Sequence, residues 1–329
     1  MTFRIPPIAR FLIRRSVQAV ILIFCLATLD FFLLHLAPGD AADAIAGSAG
    51  TGDAAYVENL RKQLGLDLPL LVQLGVYLLR LVQFDFGYSF RYGTSVASLI
   101  FERMPATLLL MGVTIGLAAA GGVILGVLSA RYANRPIDRL IGVVTLFFYA
   151  TPLFWIGLMM ILLFSVKLGW LPTGGMYNIA SGTTGLAFVG ELARHVVLPA
   201  LTQAFFLLAI YTRLVRASML EVYGMDYVRL ARAKGISETR VALRHVLRNA
   251  LMPLITMVGM NLGTLLGGAV LTETVFSWPG IGRLMFDAVF QRDVNLLLSI
   301  LVLSSVFVIV ANIIVDLLYV WLNPAVELR

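Results

Sequence analysis

Residues 106–130 read ATLLLMGVTIGLAAAGGVILGVLSA, a run without one charged side chain. Wound as an α-helix at about 1.5 Å per residue, it would be about 37 Å long, enough to cross a hydrocarbon core of ~30 Å. The same test picks out five more runs: 17–36, behind Arg10, Arg14 and Arg15; about 140–166, with Pro152 inside; 196–212, which is short; 249–272, between Arg248 and Glu273; and about 294–320, with Asp316 near its inner end. The expected fold class is therefore an all-α polytopic membrane protein with six transmembrane helices. Composition agrees. The 329 residues are 60% hydrophobic and 13% charged, against roughly 25% charged in soluble domains, and mean hydropathy is +0.91.

A basic start before an apolar run also describes a secretory signal peptide, and AIAG at 44–47 mimics a cleavage site. The run at 17–36 is longer than the ~7–15 apolar residues of such a peptide, so an uncleaved anchor is expected. Orientation follows from the short loops. Arg131, Arg135 and Arg139 join spans two and three, while Arg213, Arg216 and a basic insert join spans four and five. The positive-inside rule then puts both termini in the cytoplasm and 37–105 outside. That outer segment carries apolar residues at helical spacing around 77–82, broken by Gly and Pro, and is expected to form two or three short helices on the outer face.

The net charge of +7 comes from 25 basic and 18 acidic residues. The basic residues cluster beside apolar runs, so membrane orientation accounts for them and no nucleic-acid partner is expected. Cys25 stands alone, and His35, His195 and His245 match no ligand spacing, so no metal site is expected. There is no phosphate-binding loop, nucleophile elbow or HExxH motif. Ionisable residues inside the runs are few: Asp30 and His35 in the first, Asp316 in the last. A carrier driven by an ion gradient usually holds costly acids or broken helices near mid-membrane. Such a secondary transporter remains the alternative to a permease fuelled by another chain, and a non-transporting scaffold is a third reading.

The insert reads YVRLARAKGISETRVALRHVLRNALMP at 227–253. Good helix formers with small Ala231 and Ala233 lead to Gly235, which suits a helix C-cap. Ser237 can cap a second helix whose Val241, Leu243, Val246 and Leu247 partly follow a helical stripe. The result is a helix–turn–helix with small residues at its tip, fit for a groove in a partner. The plainer reading is a basic loop held at the anionic leaflet.

These residues resemble the EAA loop of ABC-importer permeases, which seats a coupling helix in a cleft of the ATPase. Ala231 and Gly235 match that pattern; Arg229 and Leu230 stand where Glu and Ala would be, and Arg248 replaces its proline. LLHLAPGD at 33–40, QLGLDLPL at 63–70, GYSFRYGTSVASLIFERMPATLLL at 87–110 and LLGGAVLTETVFSWPGIGRLMFDAV at 265–289 are similar to the first permease subunit of the dipeptide/oligopeptide/nickel ABC importers. The resemblance implies a permease subunit of the bacterial cytoplasmic membrane that carries peptides or related small polar solutes. It implies a homologous second permease subunit, two ATPase subunits that use ATP and Mg, and an external binding protein, with no cofactor on this chain and no enzymatic activity of its own. It also implies a first span plus outer-face segment at 1–104, and a five-span core at 105–329 that contains the coupling loop, about 213–248. Coupling residues are then Asp226, Tyr227, Arg229, Ala231, Arg232, Ala233, Lys234, Gly235 and Ser237.

The stretch TVFSWPGIG at 274–282 is either an aromatic belt at the interface or a re-entrant piece near the outer mouth of the path. The resemblance favours the second. Asn261, Thr264, Glu273, Phe276 and Trp278 are the candidate path residues; Asn261 and Thr264 could equally satisfy each other. Gly259, Gly263 and Gly267 repeat every fourth residue and are expected to let helices pack closely.

Overall fold

The structure, a computed structural model, describes residues 7–36, 42, 46, 54–89, 91–178 and 182–322. Most of AIAG and the end of LLHLAPGD lie outside the described residues, as do the side chains of Gly263, Thr264, Gly267 and Asp316. The chain forms two compact units, one of Met1–Pro105 with Gly280–Arg329, the other of Ala106–Pro279. Residues 280–322 thus group with the N-terminal segment and not with the chain that precedes them.

In the first unit, α1 (Pro7–His35) packs along α13 (Val294–Leu322). Between them in sequence come α2 (Ala54–Leu64), α3 (Leu70–Val82) and a short antiparallel pair, β1 (Tyr88–Ser89) with β2 (Thr94–Ser95). Helix α4 (Val96–Arg131) starts in this unit and ends in the other. Its first turns join α12 (Ile281–Phe290) and α13 in a core of Val96, Ile100, Leu284, Leu296 and Ile300. The short outer-segment helices expected from the sequence are α2 and α3.

The second unit holds the rest of α4, then α5 (Pro136–Ala150) and α6 (Leu153–Met160), which runs on as π-helix through Ile161–Lys167. Proline opens α5, where its missing N–H costs nothing. The run expected as a third span is not straight: its two halves meet at 103°. The cause is Pro152, which offers no N–H to the preceding turn and holds Thr151 extended at φ −85°, ψ 135°. The run expected as a short fourth span is the middle of α7 (Gly185–Tyr223), 39 residues long. Polar residues past 212 stay helical because the helix continues beyond the apolar window. Phe148 stacks on Phe205 at 4.2 Å and Tyr149 on Phe206 at 5.2 Å, joining α5 to α7.

The insert forms α8 (Asp226–Ala233) and α9 (Glu238–Ala250). It continues as α10 (Met252–Gly268) after a bend of 47° beside Pro253, and a short α11 (Val270–Val275) follows. Among the described residues, four helices are long and apolar enough to cross a membrane, or up to six if each bent pair is one span.

Candidate functional site

Helix α7 stops at Tyr223, and Gly224 and Met225 turn the chain into α8. Asp226 opens α8 and Arg232 sits in its last turn, both placed to suit the helix dipole. The helix is amphipathic. Val228 and Ala231 are buried, and α8 packs on the α9 segment that buries Val241, Ala242 and Val246. Outward stand Asp226, Tyr227, Arg229, Leu230, Ala233 and Lys234. Leu230 is 56% exposed, so the outer face is part apolar, part basic.

The end of α8 closes as a Schellman motif. Ile236 N–H reaches Ala231 O at 3.3 Å, and Gly235 N–H reaches Arg232 O at 2.9 Å. The motif needs a left-handed residue at Gly235, whose φ is +75°. Space around it is open, with nothing within 4 Å of where a Cβ would stand. Backbone conformation, not crowding within the chain, therefore sets the glycine. Ala231 accepts into this motif and faces inward, so within this chain the tip belongs to its neighbours.

Ser237 occupies the N-cap position of α9, but its hydroxyl makes no capping hydrogen bond, contrary to expectation. The turn is closed instead by Arg232, whose Nε and Nη2 donate to the two Glu238 carboxylate oxygens at 2.8 and 3.2 Å. That fork holds the Arg232 guanidinium charged more firmly still, raising its pKa. Arg232 also lies over the Tyr223 ring at 5.3 Å. Asn249 donates to the Tyr227 hydroxyl at 2.6 Å, tying α8 to α9 a second time. The coupling candidates thus gather in one small hairpin.

The path candidates separate from that hairpin. Asn261 donates to the Tyr211 hydroxyl at 3.0 Å, so α10 is fastened to α7. Glu273 is fully buried and accepts from the Thr107 hydroxyl at 2.8 Å. Phe276 and Trp278 are 1% and 0% exposed, and Trp278 Nε1 donates to Ala106 O at 2.9 Å. Rings so covered by their own chain cannot make an interfacial belt, and that reading falls. The loop before α7 closes over this turn: Gly175 N–H donates to Phe276 O at 2.8 Å. Near them, Thr202, Gln203, Thr272 and Thr274 each bury a polar oxygen that lacks a hydrogen-bond partner.

Two features went unseen in the sequence. Asp138 accepts from Arg216 Nε and Nη2, both at 2.8 Å, from Asn134 N–H at 2.8 Å, and from the Ser129 hydroxyl. This clamp joins the ends of α4, α5 and α7 beside the coupling hairpin. Its partners lie 78 positions apart, and the only local hint was an acid in the first turn after Pro136. The second feature is a glycine face on α4. A Cβ at Gly122 would stand 2.5 Å from Tyr211 Cβ, and one at Gly126 2.7 Å from Val215 Cβ. This pair lets α4 and α7 pack closely.

Comparison with known proteins covers nearly the whole chain. The family described as binding-protein-dependent transport system inner membrane component matches residues 122–328, and its N-terminal companion matches 8–111. The glutathione transport system permease protein GsiC of Escherichia coli strain K12 is 39% identical over 319 residues, 97% of this chain and 99% of that protein. The oligopeptide transport system permease protein AppB of Bacillus subtilis strain 168 is 39% identical over 320 residues, with the same coverage. An inward-facing structure of the MetNI methionine ABC transporter shares the fold, with a TM-score of 0.55 at 18% identity over 68% of this chain and 96% of that one. The chain therefore belongs to the binding-protein-dependent transport system inner membrane components, and is an ABC-importer permease subunit of the bacterial inner membrane.

Proposed function

We propose that this chain forms half of the translocation path for peptides or related small polar solutes, of the kind its relatives' names give: glutathione and oligopeptides. It crosses the membrane six times with both termini in the cytoplasm, each bent helix pair counting as one crossing. Residues 1–104 add a first span and outer-face segment to a five-span core at 105–329. A homologous permease subunit completes the path, a binding protein delivers solute, and two ATPase subunits supply ATP and Mg chemistry from the cytoplasm. This chain neither binds nor hydrolyses nucleotide.

The observation that carries the coupling role is the α8–α9 hairpin. Its two helices are locked by the Schellman turn and the Arg232–Glu238 fork, and its outer face offers Tyr227, Arg229, Leu230 and Lys234. A rigid, short, part-apolar element of this kind suits insertion into a preformed cleft. In the path, Asn261, Glu273, Phe276 and Trp278 fix the helices that border it, and Thr264 is a further candidate path residue. The test is disulfide cross-linking in the assembled transporter. A cysteine replacing Leu230 should trap cysteines placed along the ATPase cleft, with yield that changes on adding ATP. Solute uptake by this chain alone in proteoliposomes, driven by an ion gradient, would overturn the reading in favour of a secondary transporter.

A further inference from the structure

Helix α3 packs on one side and leaves the other bare. Leu71, Val72, Val76, Leu79 and Val82 are all exposed there, Leu71 at 75%. Two contacts fix its position. Gln73 Oε1 lies 3.2 Å from His35 Nε2, and Tyr77 stacks on Phe31 at 5.7 Å between ring centres. Along α1, Phe31 comes one turn before His35; along α3, Tyr77 comes one turn after Gln73. The two helices therefore run antiparallel here, and α3 heads back beside the apolar span Ile13–Leu33, which contains Phe31.

The chain then climbs out along α13. The Ser299 hydroxyl donates to Phe86 O at 3.1 Å, and the Ser89 hydroxyl donates to Asp293. Ser299 lies inside the apolar stretch Val294–Ile313, while Asp293 precedes it. The segment thus descends beside one span and rises beside another, and its lowest stretch lies between Val82 and Phe86. At that point Phe84 is 81% exposed with φ +57°. Few bulky residues adopt this conformation. It is held by Asp85 N–H bonding Arg80 O at 2.9 Å and Gly87 N–H bonding Asp85 Oδ1 at 2.9 Å.

We propose that residues 70–89 form a re-entrant hairpin that inserts into the phospholipid leaflet at the end of α1 remote from the N-terminus, with Phe84 at its tip among the upper acyl chains. Lipid is the occupant because both flanking contacts lie at the apolar ends of membrane spans, so the bare face sits at bilayer depth rather than in water. Arg80, exposed one turn earlier, lies deeper than Gln73, and because helical side chains lean toward the helix N-terminus its long stem would carry the guanidinium back up toward lipid phosphate. The proposal rests on membrane location and not on orientation; with the orientation given above, the leaflet is the outer one.

The test uses the assembled transporter in proteoliposomes. A fluorophore is placed at Phe84→Cys in a Cys25→Ala background that still transports. Leu29→Cys, on the exposed face of α1, and Glu58→Cys, on α2, are the lipid and water references. Phospholipids bearing a nitroxide high on the acyl chain, in both leaflets, should quench the Phe84 position several-fold more than the Glu58 position, and aqueous iodide should show the reverse order. A photoreactive side chain replacing Leu79 should capture phospholipid. Iodide quenching at Phe84 equal to that at Glu58 would place the hairpin in water and overturn the proposal. Capture of the second permease subunit or of the binding protein from position 79 would overturn it too. Because both leaflets carry quencher, an inverted topology would leave the lipid result unchanged, so the two readings fail separately.

Discussion

Replacing Gly122 by alanine sets two opposing effects against each other, and the geometry decides between them. The new Cβ would lie 2.5 Å from Tyr211 Cβ, 3.3 Å from its carbonyl carbon and 3.4 Å from Thr212 N. Carbon atoms rest at about 3.5–4.0 Å, so α4 and α7 must part by about 1 Å there. Tyr211 Cβ is bonded to the backbone, and no rotamer change can relieve it. Parting the helices also loosens the Gly126 contact with Val215 and strains the Asn261–Tyr211 hydrogen bond. Overpacking of this kind costs about 1–3 kcal/mol, and in a bilayer close van der Waals contact is most of what holds helices together. Against it stands the gain from removing a glycine inside a helix, about 0.5–1 kcal/mol. The clash wins, and Gly122→Ala should be less stable by roughly 1–2 kcal/mol. Gly112 and Gly116 on the same helix have nothing within 4 Å of a new Cβ, so alanine there should be neutral or slightly stabilising. Heating the detergent-solubilised transporter and measuring the folded fraction by size exclusion separates the three. If Gly122→Ala melts like Gly116→Ala, the helices do not approach as described.

Gly235→Val should leave membrane levels near wild type while transport and substrate-stimulated ATP hydrolysis both fall, because a β-branched residue at φ +75° costs ~1 kcal/mol or more. Gly235→Ala should be milder, and wild-type uptake by the valine variant would refute the coupling role. Asp138→Ala strands the Arg216 guanidinium and should cost about 2–3 kcal/mol; the double change with Arg216→Ala should cost less than the sum of the singles, and strict additivity in melting would dismiss the clamp. Cysteines at Glu58 and Ser237, in a Cys25→Ala background, should label from outside intact cells at the first position only; the opposite pattern would invert the proposed topology.

The apolar runs made the helical membrane class legible, since a charge-free stretch such as 106–130 has no other stable solvent. Gly235 was legible for a local reason: a C-cap is written in the residues either side of it. What failed did so where distance or direction mattered. Pro152 was seen, but a sequence does not say whether proline kinks a span or turns it through 103°. Ser237 had the right type for a cap, yet a stronger ionic partner at Glu238 closes the turn without it. Phe276 and Trp278, aromatic beside Pro279, left an interfacial belt and a re-entrant piece both open, and only tertiary packing reveals that their own chain covers them. The Asp138–Arg216 clamp needed a third dimension, because neither residue is unusual where it stands.

Helix α7 is unbroken over 39 residues and includes Pro199. At about 1.5 Å per residue it is a rod about 58 Å long, nearly twice the thickness of a ~30 Å hydrocarbon core. Pro199 removes one rung of its hydrogen-bond ladder, the usual place for such a rod to pivot. The arm from Pro199 to Tyr223 is about 36 Å long. A swing of roughly 10° about that fulcrum carries its far end, with the Arg216 clamp and the hairpin hinged at Gly224, sideways by about 6 Å, close to one helical pitch. Slight tilting at Pro199 and a full step at the tip would then be one motion, geared by leverage.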